Sequence, residues 1–219
     1  MSKQLSFPQP IETSYAAENY YPGEPSAVAR GMLADAASWP AGKLLILGAE
    51  GAGKTHLLHI WAMQNGGLLA DPMDLPRQSD SPVVVDDADQ VAGDQAAEEA
   101  LFHLHNNLAA AGLPLLLSAS QSPLSWGLQL PDLASRMEAT ATATIEAPDD
   151  ATLTAILIKL MGDRQLSPAP NLVDYITRRM GRSYAEAGRI VNALDGLSLS
   201  EKRNITTTLA ARVLDGETE

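Results

Sequence analysis

The chain has 219 residues, 45% apolar and 5% aromatic, and its 15 Lys and Arg stand against 27 Asp and Glu for a formal charge of −12. That size suits one medium domain or a larger one with a small partner, and the apolar share excludes wholesale disorder. The acidity excludes wrapping of duplex DNA, whose non-specific affinity comes from Lys and Arg on phosphates, and the absence of cysteine excludes disulfides, thiolate metal sites and a cysteine nucleophile.

In chain order, residues 1–12 carry two prolines and no helical or strand period, and so read as an extended tail. Residues 25–37 are predicted helical, with Ala27, Val28, Met32, Leu33 and Ala36 on related faces. Residues 43–47 form a short apolar run that ends in a glycine-rich turn, and 55–64 are predicted helical again. Brief strands are expected at 67–70 and at 83–85, a helix over 96–111 ending at Gly112, and further apolar or β-branched runs at 113–117 and 141–145. Strands that alternate with helices point to an α/β domain whose parallel sheet is covered on both faces. No segment has the basic-then-apolar layout of a leader, and no apolar run approaches the ~20 residues of a membrane span. A cytoplasmic protein with no membrane partner is therefore expected.

Near residue 147 the composition shifts. The first 147 residues hold 6 basic and 17 acidic side chains, whereas the rest hold 9 and 10. Beyond this point the pattern is helical only, over 150–162, 171–180, 183–194 and 200–214, with Asp149 or Asp150, Asn171, Ser183 and Ser200 as N-cap residues. The expected organisation is a tail (1–12), a nucleotide-binding α/β domain (13–147) and a small all-α lid (148–219).

Gly48, Gly53, Lys54 and Thr55 fill every fixed position of the pattern G-x-x-x-x-G-K-[ST], with Gly51 inside the loop. Glycines allow successive backbone N–H groups to turn inward around phosphate oxygens, and the helix that follows adds its positive end. The Lys54 ammonium would reach the β- and γ-phosphates, and the Thr55 hydroxyl would ligate Mg2+. Val83, Val84 and Val85 then lead into Asp86 and Asp87, an acidic strand end that suits holding Mg2+ beside the phosphates. Asp86 is the expected metal-side acid, and Asp87 would orient water in a competent hydrolase. The four histidines, on two helices, lack metalloprotease spacing. Trp39, Trp61 and Trp126 are expected in the core or in pocket walls.

The order of phosphate loop, acidic strand end, polar strand end at Ser118 to Ser120 and helical lid resembles the AAA+ ATPases. Within them, Leu130-Pro-Asp-Leu-Ala-Ser-Arg136 resembles the Pro-Asp-Leu-x-Ser-Arg segment of the DnaA initiator family and its short regulatory branch, the Hda proteins. The resemblance spans about residues 4–214. It implies an AAA+ module with a parallel five-stranded sheet and an all-α lid, binding ADP or ATP with Mg2+. It also implies that Arg136 is an arginine finger acting in the nucleotide site of a neighbouring subunit. Gln4-Leu5-Ser6-Phe7-Pro8 resembles the peptide by which Hda proteins dock on the DNA polymerase III sliding clamp, and Tyr20 and Tyr21 resemble the aromatic border of the adenine pocket. Two departures stand out. Ala185 occupies the place of the family's lid arginine, leaving Arg182 and Arg189 as substitutes from neighbouring turns. Ser120 stands where a strand-end acid is usual. Both imply slow or absent self-hydrolysis. The initiator's basic DNA-binding domain, which follows the lid there, has no counterpart before Glu219. The expected function is a regulator that docks on the clamp, meets DnaA and triggers hydrolysis of its ATP, touching DNA only through the clamp. A self-sufficient ATPase of clamp-loader or DNA-remodelling type is the alternative, and homo-oligomerisation stays open.

Overall fold

A computed structural model describes residues 15, 17, 20, 22–169, 171–201 and 204–216. Gln4 to Pro8, the peptide expected to dock on a clamp, and Tyr21 lie outside the described residues. The elements in chain order are α1 (Ala27–Ala34), β1 (Lys43–Leu47), α2 (Lys54–Asn65), β2 (Leu68–Ala70), β3 (Val83–Val85), α3 (Gln95–Ala111), β4 (Leu115–Ala119), α4 (Pro131–Ala139) and β5 (Ala141–Thr144), followed by α5 (Asp150–Asp163), α6 (Leu172–Thr177), α7 (Tyr184–Glu201) and α8 (Thr207–Leu214).

The five strands form one sheet in the order β2-β3-β4-β1-β5, and every pairing is parallel. Side chains alternate across it, as the period of two requires. Leu44, Ile46, Val84 and Leu116 face α1 and α2. Leu45, Val83, Val85, Leu115 and Leu117 face α3 and α4. Both faces are covered, which is why these strands are continuous apolar runs. The exception is Lys43, 1% exposed at the start of β1. Its ammonium donates to the Leu113 carbonyl at 3.3 Å, and burial pulls its pKa down to about 8. Trp39 and Trp61 stack at 5.2 Å in the core, and Trp126 is buried on the opposite face.

Helices α5 to α8 enclose a separate apolar cluster, built on Leu153, Leu157, Leu172, Ile176, Ile190, Leu194 and Val213. The Asp149 carboxylate caps α5 through Thr152 N–H at 2.8 Å, and the Ser183 hydroxyl caps α7 through Glu186 N–H at 3.0 Å. The expected helix at 200–214 needs correction. The Ser200 hydroxyl donates to the Leu197 carbonyl at 3.0 Å inside α7, a back-bond that replaces capping. Thr206 is the actual cap of α8, accepting from Leu209 N–H. Similarly, α1 and α6 are shorter than the periodicity suggests. Pro25 sits in a 3-10 turn ahead of α1, and Asn171 makes no side-chain cap. Among the described residues no helix is long and apolar enough to cross a membrane.

Candidate nucleotide site

Parallel strands bring all their C-terminal ends to one edge of the sheet. The register pairs Leu47 with Ala119 and Val85 with Leu117, so the loop after β1, the acids after β3 and the polar end of β4 converge. Gly48 N–H anchors the loop on the Ala119 carbonyl at 3.3 Å. Gly51 and Gly53 have φ of 73° and 93°, left-handed values that a side chain would oppose. Lys54 is 5% exposed, and its ammonium donates to the carbonyls of Gly48 at 2.8 Å and Ala49 at 3.3 Å.

Thr55 donates its hydroxyl to Asp86 Oδ2 at 2.6 Å. Asp86 Oδ1 accepts from Ser118 Oγ at 2.5 Å, and Ser118 Oγ accepts from Asp87 N–H at 2.9 Å. Ser118 is thus the bridge that aligns both acids. It was visible only as part of a polar strand end, because nothing local says that β4 lies beside β3. Asp87 takes φ 47°, a strained value for a residue with a Cβ. Burial pushes its carboxyl pKa up, with Asp86 adding repulsion and Lys54 opposing both.

Two cavities flank the start of α2. A polar cleft of about 400 Å3 is lined by Glu50, Gly51, Lys54, Thr55, Asp87, Asp89, Gln90 and Ser120. Ser120 is held there by its N–H on Asp89 Oδ2 at 3.1 Å. An apolar cavity of about 280 Å3 lies between Tyr20, α1 and α2, walled by Leu33, Leu57, Ile60 and Trp61. The Tyr20 ring passes 3.7 Å from where a Gly53 Cβ would stand and meets His56 edge-on at 5.3 Å, while Tyr15 stacks on His59 at 3.9 Å. Burial raises the Tyr20 phenol pKa, against a smaller pull from Ser26 and Arg30. A larger cavity, about 760 Å3, lies between residues 75–78 and α3 and holds none of the phosphate-loop residues.

The lid meets the loop at Gly51. Tyr184 N–H donates to the Gly51 carbonyl at 2.9 Å. A Cβ on Gly51 would stand 2.9 Å from Ala185 Cβ and from Ser183 Oγ. Ala185, which the resemblance sets in the place of a lid arginine, therefore meets the loop with a methyl group. Arg182 and Arg189, the expected substitutes, are engaged elsewhere. Arg182 pairs with Asp150 at 2.8 Å, and Arg189 forks onto Glu186 of its own helix at 2.9 and 2.8 Å. Neither lines the polar cleft. Nor does Arg136, which is exposed on α4.

A glycine loop between β1 and α2, acids at the end of β3 and a helical domain seated on the loop have the arrangement of the AAA+ fold. The chain's architecture is that of domain III of the replication initiator DnaA. Domain III from Thermotoga maritima superposes with a TM-score of 0.81 at 18% identity, covering 96% of this chain and 100% of that one. AMPPCP-bound DnaA from Aquifex aeolicus gives 0.71 at 21% identity, over 86% of this chain and 68% of that one. By sequence, the chromosomal replication initiator protein DnaA of Thermomicrobium roseum is 27% identical over 249 residues, 97% of this chain and 53% of that protein. The chain thus spans about half the length of that relative. No family profile matches it.

Proposed function

We propose that this chain is a regulator of chromosomal replication initiation of the Hda type. It docks on the sliding clamp through Gln4 to Pro8, meets ATP-bound DnaA and inserts Arg136 into the initiator's nucleotide site, so preventing re-initiation. The observation that carries the reading is the placement of Arg136. It is exposed on α4 and absent from the lining of the chain's own polar cleft, so its guanidinium is available to a second molecule. An arginine supplied in trans stabilises the charge spread over a transferring phosphoryl group and can be worth 10³–10⁵ in rate on the order-of-magnitude scale of GTPase activation.

The chain's own cleft then serves to hold ADP or ATP. The polar cavity suits phosphates and the apolar one beside Tyr20 suits a base; the AMPPCP bound by the Aquifex aeolicus neighbour is in keeping with an adenine nucleotide. Hard oxygen donors, the Thr55 hydroxyl and the Asp86 carboxylate 2.6 Å apart, fit Mg2+. With the nucleotide, the ion supplies neutralisation of phosphate charge. Turnover in this cleft is slow, because the lid presents Ala185 rather than a cation.

The test is hydrolysis of ATP by the cognate initiator, measured with and without this protein, clamp and DNA. Stimulation is expected, with Arg136→Ala abolishing it while retaining ADP binding, and Gln4→Ala with Leu5→Ala abolishing capture by the clamp. No stimulation by the unmodified protein refutes the proposal. One observation favours a self-sufficient ATPase: Asp87 lines the same cleft as Lys54 and Thr55. Steady hydrolysis by the isolated chain on the order of 1 per second or faster, the ordinary enzyme range, would support that alternative.

A further inference from the structure

Arg136 carries its guanidinium carbon 5.1 Å from the centroid of the Phe102 ring. That is inside the range of about 6 Å over which a cation is attracted to an aromatic face. Phe102 is half-buried on α3, packed against the core that α3 and α4 share, so packing holds the ring on one side. The root of α4 is held as well. One turn earlier on α3, Glu98 is 1% exposed and accepts from the N–H groups of Gly93 at 3.0 Å, Gln129 at 2.9 Å and Leu130 at 2.8 Å. Leu130 is the N-cap residue of α4. The same face of α3 therefore grips the finger helix where it begins and meets its arginine near where it ends.

A carboxylate partner would hold Arg136 equally well, but it would occupy N–H donors and cancel charge. A ring holds the plane of the guanidinium and leaves its five donors free. A long side chain restrained beforehand also loses less rotamer freedom on docking than one that must be ordered at that moment. We propose that Phe102 is the positioning residue for Arg136, holding the guanidinium in place, still fully charged, for the triphosphate of the neighbouring subunit. This rests on the trans-acting role proposed above for Arg136.

Phe102→Leu keeps apolar volume and removes the aromatic face, whereas Phe102→Trp keeps the face. Initiator-bound ATP hydrolysis is followed against the concentration of this protein, on clamp-loaded DNA. Phe102→Leu is expected to lower the maximal rate about fivefold, the size of an exposed cation–ring attraction, with an unchanged half-saturating concentration. Phe102→Trp is expected to restore the rate. A second readout needs no partner: the Arg136 Nε–Hε resonance of the full chain, assigned by its loss in Arg136→Lys, is shifted upfield by the ring, collapses in Phe102→Leu and persists in Phe102→Trp. A raised half-saturating concentration with an intact maximal rate would make Phe102 a docking contact and overturn the proposal. An unshifted Arg136 resonance in an active protein would overturn the positioning role alone. Absence of any stimulation by the unmodified protein overturns the trans-acting reading, and the positioning role with it.

Discussion

Gly51 is where the lid meets the phosphate loop, and Gly51→Ala isolates that contact. At φ +73° a Cβ costs about 1–2 kcal/mol in backbone strain. The added carbon would stand 2.9 Å from Ala185 Cβ and Ser183 Oγ and 3.1 Å from Ser183 Cβ. Two of these atoms are Cβ carbons fixed to the backbone, so the start of α7 must retreat. Crowding of that kind costs about 1–3 kcal/mol. The retreat also breaks the 2.9 Å bond from Tyr184 N–H to the Gly51 carbonyl, about 1 kcal/mol more. The expected total is about 3–6 kcal/mol. Gly112→Ala is the control: at φ +66° and with nothing within 4 Å, it should lose about 1–2 kcal/mol, the backbone share alone. Urea denaturation followed by far-ultraviolet circular dichroism compares the two. Hydrogen exchange at the Tyr184 amide should accelerate at least ~10-fold in Gly51→Ala, the equivalent of about 1.4 kcal/mol, and adding Ala185→Gly should recover part of the loss through coupling of the two sites. Equal stability of the two variants, with exchange at Tyr184 unchanged by Gly51→Ala, would mean that the lid is not seated on the loop.

The other expectations concern pH, the metal-side acid and the core. Burial, reinforced by the charges of Lys43 and Arg136, lowers the His105 pKa to about 4, against about 6.5 in an unfolded chain. Between these values the unfolded state binds more protons, so stability falls as pH drops through the window; His105→Leu should remove that slope, at most ~1.4 kcal/mol per pH unit, and parallel urea midpoints for the two proteins would refute the assignment. Burial pushes the Glu98 carboxyl up, but the N–H groups of Gly93, Leu130 and Gln129 outweigh it and hold its pKa below the ordinary value. Its stabilisation is therefore present above about pH 4.3 and lost as pH falls through the folded pKa. Glu98→Gln should cost about 1–3 kcal/mol at neutral pH, a gap that closes in melts at low pH. Asp86→Asn should weaken Mg2+-dependent ADP binding by about 10–100-fold while leaving binding in chelator little changed, as read by calorimetry. Trp39→Ala removes a side chain 4% exposed that donates to the Met32 carbonyl at 2.7 Å, and should cost about 3–5 kcal/mol in the same denaturation assay.

Much of the α/β half was legible because its signals are short-range. The phosphate loop is eight contiguous residues, Gly48 to Thr55, and a strand reveals itself by composition over three to five positions. The runs at 43–47 and 83–85 are β1 and β3 as bounded. Helix ends were less legible. Whether the Ser200 hydroxyl caps a new helix or bonds back to Leu197 depends on Leu194 and Leu197 packing α7 into the lid core, and no local pattern records that.

The sequence by itself determined a glycine loop with the phosphate-binding pattern and an acidic strand end, since backbone preference and periodicity act within a few residues, while Arg136 was singled out by resemblance alone. The tertiary structure alone decided what they touch. Inserting β4 between β3 and β1 brings Ser118 to Asp86; folding the lid back sets Ala185 on Gly51; packing within the lid pairs Arg182 with Asp150; packing α4 on α3 lays Arg136 over Phe102. Strand order and packing bring together residues more than thirty positions apart, and side-chain partners are chosen only once those neighbours exist.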